Sequence, residues 1–573
     1  MKKIFRFTLF SILSVLALAF SAFAKDGNEE VRLILSAPSG FYEGSLSLTV
    51  SCTDKNALIT YTTDCSKPTL SSRRYTSPLL LKDASTKPNL YSARTDTSVQ
   101  YDRDLLDRRE LYRFQTFVPD HPVDKCHTLR FAAYSRRGTL LAEAQAVYFI
   151  GFEEKTAYKD IYICSITAEV DDLYGYENGI LVNGAPFDLQ KEQDREDHCL
   201  DEIDWWWWDS NRMARGEEGT RRCRFSLFSP DRDAVIDQES DVHLYGGSTR
   251  AMLPKSFKVK ADKAKGDEAF ATPFFTTSTE RTLILDARPS YPSWNARAPI
   301  IRALLPEMVL SHEQTPCAVF VEGEYAGFCY IIKDTDAELI YENCSVNKKN
   351  VLMVENREVK EGGRAEKYYR EFMDEVRLAL DSDIVDPTAK MNELMDLDNY
   401  AELLAALVYL DERDWVEFGN NYLFWRSIVP EKDEYGDGRW RAYYFDLDSP
   451  WEQTVDFDTF TFLRDNYLTL QKKLLENEDY RKLFVRKIIE LGTDKLAPER
   501  CEEVVREHFA LMGEQIDLQL TRYYGSDNDY STAAKEQEMI DFFNTRYDYV
   551  WSFLTESFGA DWLENNGLVQ YPE

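Results

Sequence analysis

After residue 24, no window of this 573-residue chain approaches the roughly 18 uninterrupted apolar residues of a membrane span. None is therefore expected in the mature protein. The ten cysteines include no CxxC pair, which removes the usual zinc spacing. Neither GxxxxGKS nor GxxxxGKT occurs, so a P-loop enzyme is excluded. Basic charge is also scarce, with 68 Lys and Arg against 100 Asp and Glu, a net −32. Such a surface repels nucleic acid and anionic membrane and leaves basic partners, or solubility alone, as its use.

What is present begins with Met1-Lys2-Lys3, an apolar run from Phe7 to Phe20, and Ser21-Ala22-Phe23-Ala24. A basic start, an apolar core and an Ala-x-Ala site make residues 1–24 a secretory signal peptide. The protein is expected to be secreted, periplasmic or at the cell surface. Lys25, not a cysteine, directly follows the expected cleavage point, so no lipid anchor is indicated. An even number of cysteines in an exported chain permits disulfides. For Cys317 and Cys329, in apolar strand-like runs, buried free thiols are equally expected.

The remaining length calls for two or three domains. Residues 25–152 show short apolar runs separated by turn residues, the pattern of an all-β sandwich. Strands are expected at Leu46 to Cys52, Leu58 to Thr62, Tyr75 to Leu81, Leu129 to Tyr134 and Ala144 to Phe149, with an insertion from Tyr91 to Pro119. Residues 157–560 read as an α+β domain, helical from about residue 467. Between Glu192 and Arg222 the chain is charged and carries Trp205-Trp206-Trp207-Trp208. Four adjacent indoles cannot share one face, so an anchored loop or an exposed aromatic platform is expected.

Two segments carry chemistry. Val242 to Tyr245 and Lys255 to Lys260 read as strands joined by Gly246-Gly247-Ser248-Thr249-Arg250. Lys255 shares its face with Phe257 and Val259, an expensive place for an ammonium unless an anion meets it. Further on, a helix from Leu397 to Leu410, with Asp398 as its N-cap, leads to a loop containing Asp414. Asn421 opens the strand Tyr422 to Arg426, and a second strand, Trp440 to Phe445, ends at Asp446-Leu447-Asp448. Two acidic positions with an amide between them suit metal-dependent phosphoryl transfer.

These segments resemble the spore-coat protein H (CotH) kinase family. The matching elements are Gly179 to Gly184, Tyr245 to Lys260, Val319 to Ile332, Leu397 to Leu404, Asp414 to Arg426 and Arg439 to Trp451. The stretches from Gly40 to Tyr42 and from Ile59 to Thr69 resemble the chitobiase C-terminal-type sandwich, with Cys65 where a Gly is usual. The resemblance implies an atypical protein-kinase-like fold using Mg (or Mn) and ATP. By position, Asp414 is the catalytic aspartate, Lys255 contacts phosphate with Arg250 in the supporting turn, and Asn421, Asp446 and Asp448 lie at the metal.

Three positions depart from the family pattern. Lys333 stands where the hairpin normally ends in an acid, Ala298 replaces an aspartate at a helix start, and Asp414 and Asn421 lie seven apart rather than five. An exported kinase acting on Ser or Thr of a protein, with an acidic surface suited to a basic acceptor, is the leading expectation. The alternatives are a pseudokinase scaffold with a glycan or cell-wall contact through the sandwich, and a glycoside hydrolase with paired carboxylates.

Overall fold

In the strands Leu58–Thr62 and His127–Tyr134, Tyr61, Leu129, Phe131 and Ala133 turn to one side and are buried together. The computed structural model describes residues 31–98, 117–197, 208–288, 294–381, 386–447 and 454–572; the expected signal peptide lies outside them. The two strands belong to a five-stranded sheet running from Gly40–Tyr42 through Leu140–Ile150 to Arg73–Arg74. Leu33, Leu48, Val50 and Leu81, from two small antiparallel pairs, complete the same core. The run expected as one strand from Leu46 is two strands, Ser45–Leu48 and Val50–Cys52. They pair with different partners, and the Thr49 backbone bonds to Ser36 instead.

The next seven long strands close on themselves. They are β1 (Tyr162–Ala168), β2 (Arg221–Phe228), β3 (Ala234–Leu244), β4 (Phe257–Ala261), β5 (Thr282–Asp286), β6 (Gln314–Val321) and β7 (Glu324–Lys333). Their order around the barrel is β1-β2-β3-β4-β5-β7-β6, and a parallel pairing of β6 with β1 closes it. One alternating set of residues fills the interior, including Phe257, Val259, Leu283, Leu285, Val319 and Ile331. Cys164, Cys317 and Cys329 lie in the same interior as buried free thiols. The β6–β7 hairpin turns on Glu322 (φ 49°) and Gly323 (φ 81°). Two left-handed residues in succession suit the twist of a tight hairpin. The tip reaches the sandwich: Cys126 N–H donates to Gly323 O at 2.9 Å, and Leu90, Tyr91 and Ser92 donate backbone N–H groups to the Glu324 carboxylate.

A helix, α1 (Gly184–Asp197), occupies part of the charged region that reads as loop. Its sparse apolar residues give little periodicity to see, but Phe187 packs on Trp208 with ring centroids 5.4 Å apart. Trp205 to Trp207 lie outside the described residues. Helix α2 (Arg297–Leu304) follows β5, and Ala298 is buried in it. A second sheet runs β9-β8-β10-β11, with β8 (Val351–Glu355), β9 (Glu358–Glu361), β10 (Tyr422–Ser427) and β11 (Arg441–Tyr444).

Helix α3 (Leu397–Tyr409) packs against this sheet and buries Tyr400, Leu403, Leu404 and Leu407. Its N-cap is Asp396, whose side chain accepts from Asn399 N–H; Asp398, the expected cap, sits in the first turn. The C-terminal part is helical, starting at Thr459 and including α4 (Pro498–Tyr524) and α5 (Thr532–Phe558). Both long helices join one continuous core with the outer barrel face. No helix among the described residues is long and apolar enough to cross a membrane.

Candidate active site

The antiparallel register of β10 and β11 pairs Tyr422 with Tyr444. Asn421 and Asp446 therefore leave neighbouring strands at the same end. Both adopt left-handed backbone, with φ 57° and 63°, which the short polar side chains of Asn and Asp tolerate better than most. The Asn421 amide donates to Asp414 O at 2.8 Å and to Asp414 Oδ2 at 2.9 Å. Asp414, Asn421 and Asp446 are thus gathered at one strand end. Asp448 lies outside the described residues.

The loop before Asp414 is held from several sides. Asp414 N–H donates to Glu412 Oε1, and Tyr444 O–H donates to Glu412 Oε2 at 3.1 Å, tying the loop to β11. Asp411 is fully buried, accepts from Thr459 Oγ1 at 2.5 Å and pairs with Arg413. Arg546, reaching in from α5, donates to Val408 O, Tyr409 O, Val455 O, Phe457 O and Thr459 Oγ1. One buried guanidinium thereby satisfies the carbonyls at the end of α3, which a helix leaves without partners of its own.

Facing Asp446 is the outer side of the barrel. Arg288 Nη1 meets Asp446 Oδ1 at 2.5 Å, while its Nε meets Asp286 Oδ2 at 2.9 Å. Arg302, from α2, meets the same Asp286 oxygen at 2.8 Å. Burial pushes the Asp286 carboxyl up, but the two guanidinium groups outweigh it and hold it below the ordinary carboxylate range. On β4, Lys258 pairs with Asp334, just past β7. The register sets Lys258 beside Ile284 and Ile284 beside Ile332, all on the outer face. Tyr245 lies within electrostatic reach of members of both ion pairs. Burial raises its phenol most, and Arg288, Asp286, Glu355 and Asp334 all lie within electrostatic reach of it.

Lys255 is not brought to this cluster. It precedes β4 on the side that faces the barrel interior, is 9% exposed, and donates its Nζ to Arg250 O at 2.5 Å. Burial drives its pKa well below the usual lysine value, and Arg212 pushes the same way. It lines a cavity of about 60 Å³ with Tyr91, Phe257, Val319, Val321 and Arg522. Arg250 is buried as well, donating to Gly246 O and Ala214 O. The physical reason is parity: Lys255 and Phe257 share a face, and closure of the barrel makes that face the enclosed one. Lys333 also points inward, where Glu313 and Glu342 each meet its Nζ at 2.7 Å.

The oxygens at the strand end suit a hard divalent cation. Both amide donors of Asn421 are spent on Asp414, which leaves Oδ1 as the atom it can offer a metal. Asp446 already accepts a cation, the Arg288 guanidinium. Among the described residues no three His, Cys, Asp or Glu side chains cluster to hold a metal. One carboxylate and one amide match magnesium, which typically keeps waters and takes phosphate oxygens for the rest. Reading the sequence brought out Asp414, Asn421 and Asp446, and offered Asp334 only as a stand-in for the acid lost at Lys333 should the register shift; it missed Lys258, Arg288, Asp286 and Glu412. Outer-face alternation along β4 is the one signal that points to Lys258.

Residues 242–550 match the family model described as CotH kinase protein. Residues 37–96 match the Chitobiase/beta-hexosaminidase C-terminal domain. No curated protein matches the chain.

Proposed function

Because the chain belongs to the CotH kinase protein family, we propose that it is an exported phosphotransferase that moves phosphate from ATP to a Ser or Thr hydroxyl of a protein. The observation that carries this reading is the hydrogen-bonded pair of Asp414 and Asn421 beside Asp446 at one strand end. Asp414 orients the acceptor hydroxyl and takes its proton. Asn421 fixes the Asp414 carboxylate and, with Asp446, would hold magnesium or manganese. The metal, when bound, neutralises charge on the transferring phosphate.

Lys258 extends from the facing barrel wall and, held by Asp334, would contact the nucleotide phosphates. The lysine–acid pair that the family pattern places at residue 333 is supplied on this reading by Lys258 and Asp334. Lys255, the lysine expected from sequence position, points away from this wall. The net charge of −32 favours an acceptor rich in Lys and Arg. The sandwich module suits contact with glycan near the site of export.

Purified protein is expected to bind ATP only with a divalent metal, and Asp446→Ala to abolish that binding. Transfer of radiolabelled phosphate to a basic protein is expected to fall by about 10²- to 10⁴-fold in Asp414→Ala, as for loss of a general base. Metal-independent binding would refute the assignment of Asp446. Metal-dependent binding without label transfer by either protein would leave a scaffold rather than an enzyme.

A further inference from the structure

Arg288 joins the two halves of the site, meeting Asp286 on the barrel side and Asp446 on the sheet side. Among the described residues two guanidinium groups, Arg288 and Arg302, face two carboxylates, Asp286 and Asp446. Asp286 is 2% exposed and keeps Arg302, itself 3% exposed, as a buried partner whatever Arg288 does. Asp446 is 31% exposed and Arg288 14%, so their contact lies where solvent and ligands reach it. The backbone of Arg288 is left-handed, at φ 39°, an uncommon conformation for a long side chain and one that clusters at functional positions.

We propose that Arg288 is a nucleotide-phosphate ligand that rests on Asp446 while the site is unfilled and transfers to the phosphate when a metal takes Asp446. This rests on the reading of Asp446 as a metal ligand. A divalent cation and a guanidinium repel one another across a shared carboxylate, so binding of the first displaces the second from Oδ1. The guanidinium stays tethered through its Nε to Asp286 and so remains over the site. A polyphosphate arriving with the metal then supplies the anion that Asp446 no longer offers, in the bidentate geometry an arginine fork favours. The exchange couples the two ligands: metal alone must compete with Arg288, whereas metal with nucleotide gives Arg288 a new partner.

The test is titration calorimetry on the full chain with MnCl₂ alone, and then with ATP at saturating Mn²⁺. Wild type, Arg288→Gln, Arg288→Lys and Asp446→Ala are compared. A charge-assisted hydrogen bond lost from the competing state is expected to tighten Mn²⁺ binding about tenfold in Arg288→Gln. The same substitution is expected to weaken ATP binding about tenfold, with Arg288→Lys intermediate in both. Arg288→Lys keeps a cation opposite Asp286 and serves as the folded variant if glutamine disturbs that buried pair. Unchanged or weaker Mn²⁺ binding in the Arg288 variants, or unchanged ATP affinity, overturns the exchange. If wild type binds no Mn²⁺, or Asp446→Ala binds it equally well, the metal reading itself fails and the exchange with it.

Discussion

Replacing Glu322 with glutamine should remove a pH dependence of stability that the junction between sandwich and barrel builds in. Glu322 sits at the hairpin tip with its side chain 4% exposed. Its Oε1 accepts from Ala168 N–H at 2.7 Å, and Oε2 is buried with no hydrogen-bond partner of good geometry among the described residues. Burial pushes its carboxyl up to about 8 from 4.5, although the Cys65 thiol, the Ala168 amide and Arg130 all pull it back. An isolated buried carboxylate is costly, so the folded protein keeps this group protonated.

The folded chain therefore holds a proton at Glu322 up to about pH 8, whereas the unfolded chain releases it near 4.5. Stability from this proton is complete below about pH 4.5 and falls as pH rises through about 8, because the folded state binds more protons in that window. At about 1.4 kcal/mol per pH unit of separation, the loss between pH 4.5 and 8 is on the order of 5 kcal/mol. Glutamine is neutral throughout and keeps an oxygen for Ala168 N–H. Urea unfolding of both proteins between pH 5 and 9 isolates the effect as a difference. Wild type should lose stability relative to Glu322→Gln as pH rises and level off above about pH 8. A difference that is flat, or that favours wild type with rising pH, refutes a protonated Glu322.

Lys258→Met should raise the KM for ATP about tenfold or more. The same change should shift the melting free energy by no more than about 1 kcal/mol, since a partly exposed ion pair contributes little to stability; equal ATP affinity by titration would place the nucleotide elsewhere. Arg546→Met should cost about 3–5 kcal/mol in urea unfolding, because buried carbonyls lose a charged donor. It should also speed hydrogen exchange in residues 408–414, and unchanged exchange there would separate α5 from the loop that carries Asp414.

The elements legible in the sequence are those whose signal is local. The apolar spacing of Tyr400, Leu403, Leu404 and Leu407 marks α3, and the two strands after it carry Asn421 and Asp446 to one end. The turn and the register that unite these residues lie within one short stretch of chain. Contacts that cross the chain left no such trace. Arg288 meets Asp446 across 158 residues, and Arg546 meets Tyr409 across 137. No periodicity in either segment names the other.

The lysine shows how a correct local reading can leave the destination open. Alternation along β4 separates Lys255, Phe257 and Val259 from Lys258, and that separation holds in the structure. Alternation does not say which side the barrel encloses. The closing pairing of β6 with β1 decides it, and that pairing joins segments more than 150 residues apart. The same parity governs the end of β7, where Lys333 faces inward while Asp334 meets Lys258 outside. A lysine and an acid each displaced to the opposite face still meet. On the proposed reading, the acid missing at residue 333 is replaced on the outer face by Asp334, which pairs with Lys258.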